Sequence, residues 1–160
     1  KVAMPGDAIM TALRVAAARI TLKGSETFKK QSQSGLMLGS EFCEFAGPNG
    51  PVRMADLEKF RERPFSEHAQ LVKPLGFTLF VKRAPIGQSK HVRVRPRFNS
   101  WQVAGQIEIL DPIITPDILG QMFDIAGSYA GLLDWRPSSK KSPGPFGKFE
   151  AGLKRAKQVA

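Results

Sequence analysis

The chain has 160 residues, 42% of them hydrophobic, and a net charge of +10 with a pI of about 10.1. This length predicts one domain, residues 1–160, that is large enough to bury a core. No apolar run approaches the roughly 20 residues of a membrane span. The positive charge favours a polyanionic partner, which would be DNA, RNA or an anionic membrane surface, and of these we expect nucleic acid and no membrane. The single cysteine, Cys43, excludes an internal disulfide and favours a reducing, cytoplasmic setting.

The first predicted element is a helix that starts at Pro5-Gly6-Asp7, with Asp7 as its N-cap. Apolar residues recur at helical spacing over residues 9–20, and we expect the helix to end near Gly24. Residues 24–34 are polar and lack periodicity, which predicts a mobile loop.

Short strands are predicted over residues 35–38 and 42–45, and a cluster of glycine and proline predicts a turn at 47–51. The charged segment 53–68 predicts one short helix that Pro64 interrupts. A further apolar run, residues 77–81, predicts a strand.

The most informative segment runs from residue 90 to residue 98 and alternates between basic and apolar residues. As a strand it would place His91, Arg93, Arg95 and Arg97 on one face, about 6–7 Å apart. Residues 101–110 also alternate, so we predict a hairpin between 91–98 and 101–110, and Phe98 and Trp101 beside the turn are expected in its core.

No acidic residue lies between Phe80 and Ser100, where Lys82, Arg83 and Lys90 add further positive charge. A row of cations without internal counter-charge is expected to be neutralised from outside, and a nucleic-acid backbone would do so. The alternative is a solvated strand face that discourages aggregation. Neutralising about five phosphates would give a slope of log K against log salt of roughly −3.5 on a single strand.

A second helix is predicted after Thr115, its N-cap, with Pro116 in the first turn. Its predicted buried stripe consists of Ile118, Met122, Ile125, Ala126 and Tyr129. A loop rich in Gly, Pro, Ser and Lys covers residues 132–147. It precedes a predicted final strand at about 148–153 and a basic tail at 154–160.

Within this loop, Trp135 is a candidate to stack on a base, or alternatively to fill the core while Asp134 and Arg136 pair and hold the loop. Lys140, Lys141 and Lys148 add positive charge. Together with flexible backbone amides they would make a phosphate-binding loop.

Catalytic and metal-binding patterns are weak. The two histidines, His68 and His91, have no accompanying ligands at metal-site spacing, so no metal or cofactor is expected. The carboxylates show no paired motif, and the sequence therefore favours a non-enzymatic protein.

The order of elements is helix, insertion, hairpin, helix, loop and strand. One strand before Lys1 would complete an α+β, ferredoxin-like (RRM-like) βαββαβ core. Residues 21–90 would then form a large insertion after the first helix.

Two segments resemble a known family. Met4-Pro5-Gly6-Asp7-Ala8-Ile9-Met10-Thr11-Ala12-Leu13-Arg14 resembles the helix start of the repeat-associated mysterious protein (RAMP) superfamily, which supplies RNA-binding backbone subunits of CRISPR effector complexes. Asp134-Trp135-Arg136-Pro137 and Gly144-Pro145-Phe146-Gly147-Lys148-Phe149 resemble its glycine-rich loop. The motif Arg95-Pro96-Arg97-Phe98 is also similar to one in small uncharacterised phage-encoded proteins.

The resemblance implies a ferredoxin-like core that binds single-stranded nucleic acid and stacks side by side along it, as a homo-oligomer or a subunit of a nucleoprotein complex. It also implies a phosphate contact at Arg14 and a phage or mobile-element protein that acts in the host cytoplasm.

Residues and resemblance together predict a non-enzymatic binder of single-stranded RNA or DNA. The expected contact residues are Arg14, Lys82, Arg83, Lys90, His91, Arg93, Arg95, Arg97, Trp135, Arg136, Lys140, Lys141 and Lys148. One alternative is a RAMP-type endoribonuclease that uses His91 or a loop aspartate. Another is a structural or inhibitory protein whose basic face binds an acidic protein.

Overall fold

A computed structural model describes residues 1–86, 89–140 and 142–156, and for residues 84–86 and 89–90 it describes the backbone alone. The fold is mixed α+β, with small sheets and short helices. The chain forms two compact units. The first unit contains residues 1–4 and 42–104, and the second contains 5–41 and 105–160. The predicted insertion, residues 21–90, is therefore divided between both units.

The first unit is built from a small sheet and a long ribbon. Strands β1 (Ala3–Pro5), β5 (Phe42–Ala46) and β8 (Gln102–Ala104) form a sheet in the order β1-β5-β8. Strands β6 (Thr78–Ile86) and β7 (Ser89–Arg97) pair antiparallel over their full length. Two short helices, α3 (Met54–Glu58) and α4 (Phe65–Leu71), and a 3₁₀ turn at Lys73–Leu75 precede β6.

The core of the first unit is a cluster around Val52, Val72 and Phe77, each less than one-tenth exposed. Partly buried side chains from α3, β6 and the end of β7 cover this cluster, among them Leu57 and Leu79. The cluster fixes where the β6–β7 ribbon begins, because Phe77 immediately precedes β6.

The second unit contains the longer helices. These are α1 (Gly6–Ala17) and α5 (Pro116–Ile125), which continues into a turn of π-helix at Ala126–Ala130. A small hairpin, β2 (Thr21–Lys23) with β3 (Glu26–Thr27), and helix α2 (Lys29–Ser34) follow α1. Strand β4 (Leu36–Leu38) pairs antiparallel with β9 (Ile107–Ile109).

Helix α1 packs on α5 and on the π-helical turn. The contact is close because Ala16, Ala126 and Ala130 are fully buried and carry only a methyl group. Leu13 and Met122 are also fully buried. Each such large side chain contributes about 1.5–3 kcal/mol to the free energy of unfolding.

Two local predictions are wrong near the start of the chain, where strand β1 lies directly before α1. Asp7 lies in the first turn of α1 and does not cap it, since the residue at the N-cap is Pro5. Residues 24–34 are not a loop but contain β3 and α2, where Ser32 is fully buried and its hydroxyl donates to the Lys29 carbonyl at 2.8 Å.

The predicted hairpin between 91–98 and 101–110 is also wrong. Strand β7 pairs with β6, while β8 pairs with β5 and β9 pairs with β4. Alternation identifies a strand but carries no information about its partner. The short connection Phe98–Trp101 joins β7 to β8, which belong to different sheets. No strand forms at residues 148–153, and Tyr129 is 44% exposed rather than part of the buried stripe.

Other predictions are confirmed. Thr115 caps α5, where its Oγ1 accepts a hydrogen bond from the Ile118 N–H at 3.3 Å, and Pro116 occupies the first turn. The strands at 36–38 and 42–46 and the break at Pro64 are present. Over the described part of the chain, no helix has the length and apolar character that crossing a membrane requires.

Candidate nucleic-acid interface

The β6–β7 ribbon carries the strongest concentration of positive charge. Opposite residues of an antiparallel pair share one face. The register places Lys82 opposite Arg93, Phe80 opposite Arg95 and Thr78 opposite Arg97. We call the surface formed by Lys82, His91, Arg93, Arg95 and Arg97 the cationic face. All of these side chains are exposed except Lys82, which is half-buried.

The other face of the ribbon is largely apolar. It carries Val81 opposite Val94 and Arg83 opposite Val92. Val92 is 64% exposed, and Val81 and Val94 are exposed as well. Arg83 therefore lies on the face opposite the other arginines. Lys90 pairs with Pro85 in the register, and its side chain lies outside the described part of the structure.

The charge on the cationic face has no acidic residue near it in sequence. Between Glu67 and Glu108 the chain contains neither Asp nor Glu. Lys82 and Arg93 are directly opposed cations, an arrangement that destabilises a strand pair. Four permanent cations thus share one face of the ribbon.

Aromatic residues anchor the start of β6 and the end of β7. The ring of Phe98 lies 4.9 Å from that of Phe45 and 5.1 Å from that of Phe77, measured between centroids. Trp101 stacks on Phe45 at 6.4 Å. Phe98 and Trp101 are half-buried, and Phe98 packs against the cluster around Val52, Val72 and Phe77, in agreement with the core position predicted for it.

An open apolar groove of about 570 Å³ lies beside the ribbon within the first unit. Its floor and walls include Val52, Leu57, Phe60, Phe77, Leu79 and Phe98. Its polar margin includes Glu58, Arg61, His68 and Arg95. We call this feature the apolar groove. Sequence reasoning missed it because its lining comes from five separate segments, none of which carries a motif.

In the second unit, Arg14 lies half-buried on α1. Its Nε is fully buried and makes no hydrogen bond to any residue that the structure describes. The side-chain oxygen of Gln31, on α2, is also buried and unpaired within the same part of the chain. The Arg14 side chain is thus buried as far as its Nε on the helix that packs against α5, and Arg14 is not a simple surface residue.

Trp135 and Arg136 hold the glycine-rich loop together. The Trp135 indole N–H donates to the Pro143 carbonyl at 3.1 Å, and its ring meets that of Phe146 edge-on at 5.2 Å. The Arg136 guanidinium donates to the Leu133 carbonyl at 2.8 Å and to the Ser138 hydroxyl at 3.2 Å. Of the two interpretations of Trp135, the geometry supports the structural one.

Several amides in and beside the loop are not the flexible donors that the sequence suggested. The N–H groups of Leu132, Ser138, Gly144, Phe146 and Phe149 donate to backbone carbonyls of Gly147, Ala130, Arg136, Trp135 and Gly127, respectively. Each of these bonds would have to break before the amide reached a phosphate.

The predicted contact residues fall into two sets. Lys82, Arg83, His91, Arg93, Arg95 and Arg97 belong to the first unit, as does the backbone of Lys90. Arg14, Trp135, Arg136, Lys140 and Lys148 belong to the second. Lys140 and Lys148 are exposed, and Lys141 lies outside the described residues.

The surroundings of the two histidines bear on metal binding. Within residues 1–86, 89–140 and 142–156, no group of three or more His, Cys, Asp or Glu side chains is placed to hold a metal ion. The Nε2 of His68 lies 3.0 Å from the Phe60 carbonyl oxygen and 2.9 Å from that of Arg63, so this nitrogen carries the proton.

Comparison of the chain with protein-family models, with curated proteins and with solved structures gave no significant match. The resemblance to the RAMP superfamily thus stays a prediction that rests on the two quoted segments.

Proposed function

We propose that this protein is a non-enzymatic binder of single-stranded nucleic acid, RNA or DNA, whose phosphates contact the cationic face of the β6–β7 ribbon. The observation that carries the proposal is the register. It places Lys82, Arg93, Arg95 and Arg97 on one face of a ribbon in a stretch without acidic residues.

The spacing of these cations suits a polymer rather than a single anion. Arg93, Arg95 and Arg97 are each two residues apart, so their attachment points repeat at about 6–7 Å along the strand. Lys82 widens the row toward β6, at a cross-strand distance of about 5 Å from Arg93. A chain of phosphates can neutralise several of these groups together, whereas one small anion cannot.

The residue types also support phosphate binding over simple protection of a strand edge. Three of the four permanent cations are arginines, whose planar guanidinium forms paired hydrogen bonds with phosphate oxygens. Their side chains project from the face of the ribbon, whereas protection against edge-to-edge pairing acts at the unpaired edges.

The second unit adds charge from Arg14, Lys140 and Lys148, and Lys141 belongs to the same sequence segment. In this proposal Arg136 and Trp135 act by holding the loop in shape. Side-by-side assembly along the strand and a cytoplasmic setting are parts of the proposal that come from the sequence.

The proposal retains a ferredoxin-like core. Its support is the order of elements, with β1 before α1 and with strands before α5, and the packing of α1 on α5 within one unit. Two neighbouring helices are what such a core would contribute to one face of its sheet.

The direct test is charge reversal on the cationic face. We expect Arg93→Glu with Arg97→Glu to lower affinity for a fluorescent single-stranded oligonucleotide by about 100-fold, since each charge-assisted hydrogen bond contributes roughly 1.5 kcal/mol or more. Fluorescence anisotropy measures the dissociation constant.

The matched control is Lys29→Glu with Lys30→Glu on α2. These lysines are exposed and lie outside the predicted contact set, and the substitution removes the same net charge. Equal losses of affinity in both variants would show that the effect depends only on the net charge of the protein. Unchanged binding in the arginine variant would show that the cationic face is not the site.

A further inference from the structure

We propose that the apolar groove binds one unpaired nucleobase of the strand whose phosphates contact the cationic face. This inference rests on the proposed function and extends it, because it assigns a base-binding position that phosphate contacts alone would not provide. It predicts that the protein distinguishes a strand that carries bases from a bare sugar-phosphate chain.

The groove lies on the apolar face of the ribbon, where Leu79, Val94 and Pro96 line it, and it reaches the cationic face at Arg95. Arg95 belongs to the cationic face by register and also lines the groove. In this proposal, a nucleotide whose phosphate contacts Arg95 places its base at the margin of the groove.

The walls suit a flat aromatic ligand. Phe60, Phe77 and Phe98 line the groove together with aliphatic side chains. Its volume of about 570 Å³ lies within the range of small-molecule sites, about 300–1,000 Å³. Bases stack on such surfaces with little regard to their identity, because every base has an aromatic face.

The lining of the groove also includes polar side chains. Glu58 accepts hydrogen bonds, Arg61 donates them, and both side chains are exposed. His68 stands at the same margin with its ring fixed through Nε2 by the carbonyls of Phe60 and Arg63. These groups can bond the edge of a base that is not already paired, which favours a single strand over a duplex.

Charge complementarity favours a base over an apolar peptide as the occupant. The wall that β7 contributes belongs to a strand with Arg93, Arg95 and Arg97 and lies in the acid-free part of the chain. A ligand that is apolar in the groove and anionic just outside it satisfies both surfaces. A nucleotide within a strand has this composition, whereas a neutral apolar peptide carries no charge opposite to that of the arginines.

The first test uses the native protein and two oligonucleotides of equal length. One is oligo(dT), and the other has the same phosphates with abasic sites throughout. We expect the abasic strand to bind about 10-fold more weakly at equal salt, the effect expected for loss of one stacked base. Equal affinity of the two strands would overturn the inference and leave the phosphate contacts standing.

The second test uses paired tryptophan substitutions on β7. Val94 and Val92 are both exposed on the apolar face of the ribbon, but only Val94 lines the groove. We expect V94W to fill the groove and abolish the preference for oligo(dT) over the abasic strand, while V92W keeps it. Circular dichroism checks that both variants fold like the native protein.

The outcomes separate the two proposals. If V94W kept the full preference for oligo(dT) over the abasic strand, the base would lie elsewhere and this inference would be overturned. An unfolded V94W leaves the decision to the native protein with the two oligonucleotides. Failure of the native protein to bind either oligonucleotide would overturn the proposed function itself. If the native protein bound the abasic strand as tightly as oligo(dT), only the base-binding site would be overturned.

Discussion

Gly147 shows how a single residue positions the glycine-rich loop. Its φ is 75°, in the left-handed region, and a Cβ built there would fall on the Leu132 carbonyl oxygen. Its own carbonyl accepts the Leu132 N–H at 2.9 Å, so the two segments of the loop meet at this point. Only glycine combines this backbone conformation with so close an approach. Gly152, by contrast, has nothing within 4 Å of its Cβ position.

We therefore expect Gly147→Ala to destabilise the protein far more than Gly152→Ala. The left-handed conformation alone costs an alanine about 1–3 kcal/mol, and the clash with Leu132 adds to this. Gly152→Ala should stay within about 0.5 kcal/mol of the native protein. Thermal and urea unfolding of both variants measure the difference. Equal stability of the two variants would show that the loop does not need its contact between Gly147 and Leu132.

At the scale of elements, the cations of the β6–β7 ribbon that are proposed to bind phosphate also repel one another. Lys82 and Arg93 are directly opposed, and the ribbon has exposed valines on its other face. A two-stranded ribbon has marginal stability by itself, so its aromatic anchor at Phe98 is essential to its position. In the proposed complex, a phosphate bound over Lys82 and Arg93 would offset the repulsion between them.

This repulsion predicts opposite effects of one substitution. Arg93→Glu places a carboxylate opposite Lys82, and we expect it to stabilise the protein by about 0.2–1 kcal/mol relative to the native pair. The same change should weaken oligonucleotide binding by about 10-fold, through loss of one charge-assisted bond.

Arg83→Glu is the matched control, because Arg83 lies on the other face, opposite Val92. It removes the same charge without relieving the Lys82–Arg93 pair and should not stabilise the ribbon. Thermal unfolding and anisotropy together test the prediction. A destabilised Arg93→Glu variant would contradict the unfavourable pairing, and unchanged affinity would contradict the phosphate contact.

At the scale of the whole molecule, the basic residues that could contact nucleic acid belong to two units. The four permanent cations of the cationic face account for a slope of log K against log salt of about −2.8 on a single strand. Contacts from Lys140 and Lys148, which are exposed in the second unit, would make this slope steeper. The slope therefore reports how many units take part in binding.

We expect both units to contribute. Lys140→Gln with Lys148→Gln should flatten the slope by about 1.4, as should Arg93→Gln with Arg97→Gln, because each lost phosphate contact removes about 0.7. Titrations at several salt concentrations give the slope. If the lysine variant keeps the native slope, binding is confined to the first unit and the glycine-rich loop has only a structural role.

Much of the local structure could be predicted from the sequence. The Thr115-Pro116 start of α5, the alternating strand before Phe98 and the break at Pro64 follow from local rules about capping, alternation and proline. The predictions were wrong where the local sequence pattern did not indicate the structure that forms. Residues 29–34 are polar all round and carry no apolar periodicity, yet they form α2, in which Ser32 is fully buried.

The candidate site was only partly predictable for the same reason. Alternation placed His91, Arg93, Arg95 and Arg97 on one face, and the register of β7 agrees with it. It could not show that Lys82 joins this face while Arg83 leaves it, since that depends on which strand pairs with β7. The hydrogen bond of Trp135 to Pro143 and those of Arg136 to Leu133 and Ser138 depend on how the loop folds, which no motif in the sequence indicates.

By itself, the sequence determined the basic character of this protein, the acid-free segment between Glu67 and Glu108, and the faces of β7, because composition and two-residue periodicity are local properties. Only the tertiary structure decided that β6 is the partner of β7, that several amides of the glycine-rich loop are already bonded, and that an apolar groove lies beside Arg95. Those features depend on contacts between segments far apart in the chain, and such contacts form through the burial of apolar surface as the whole chain folds.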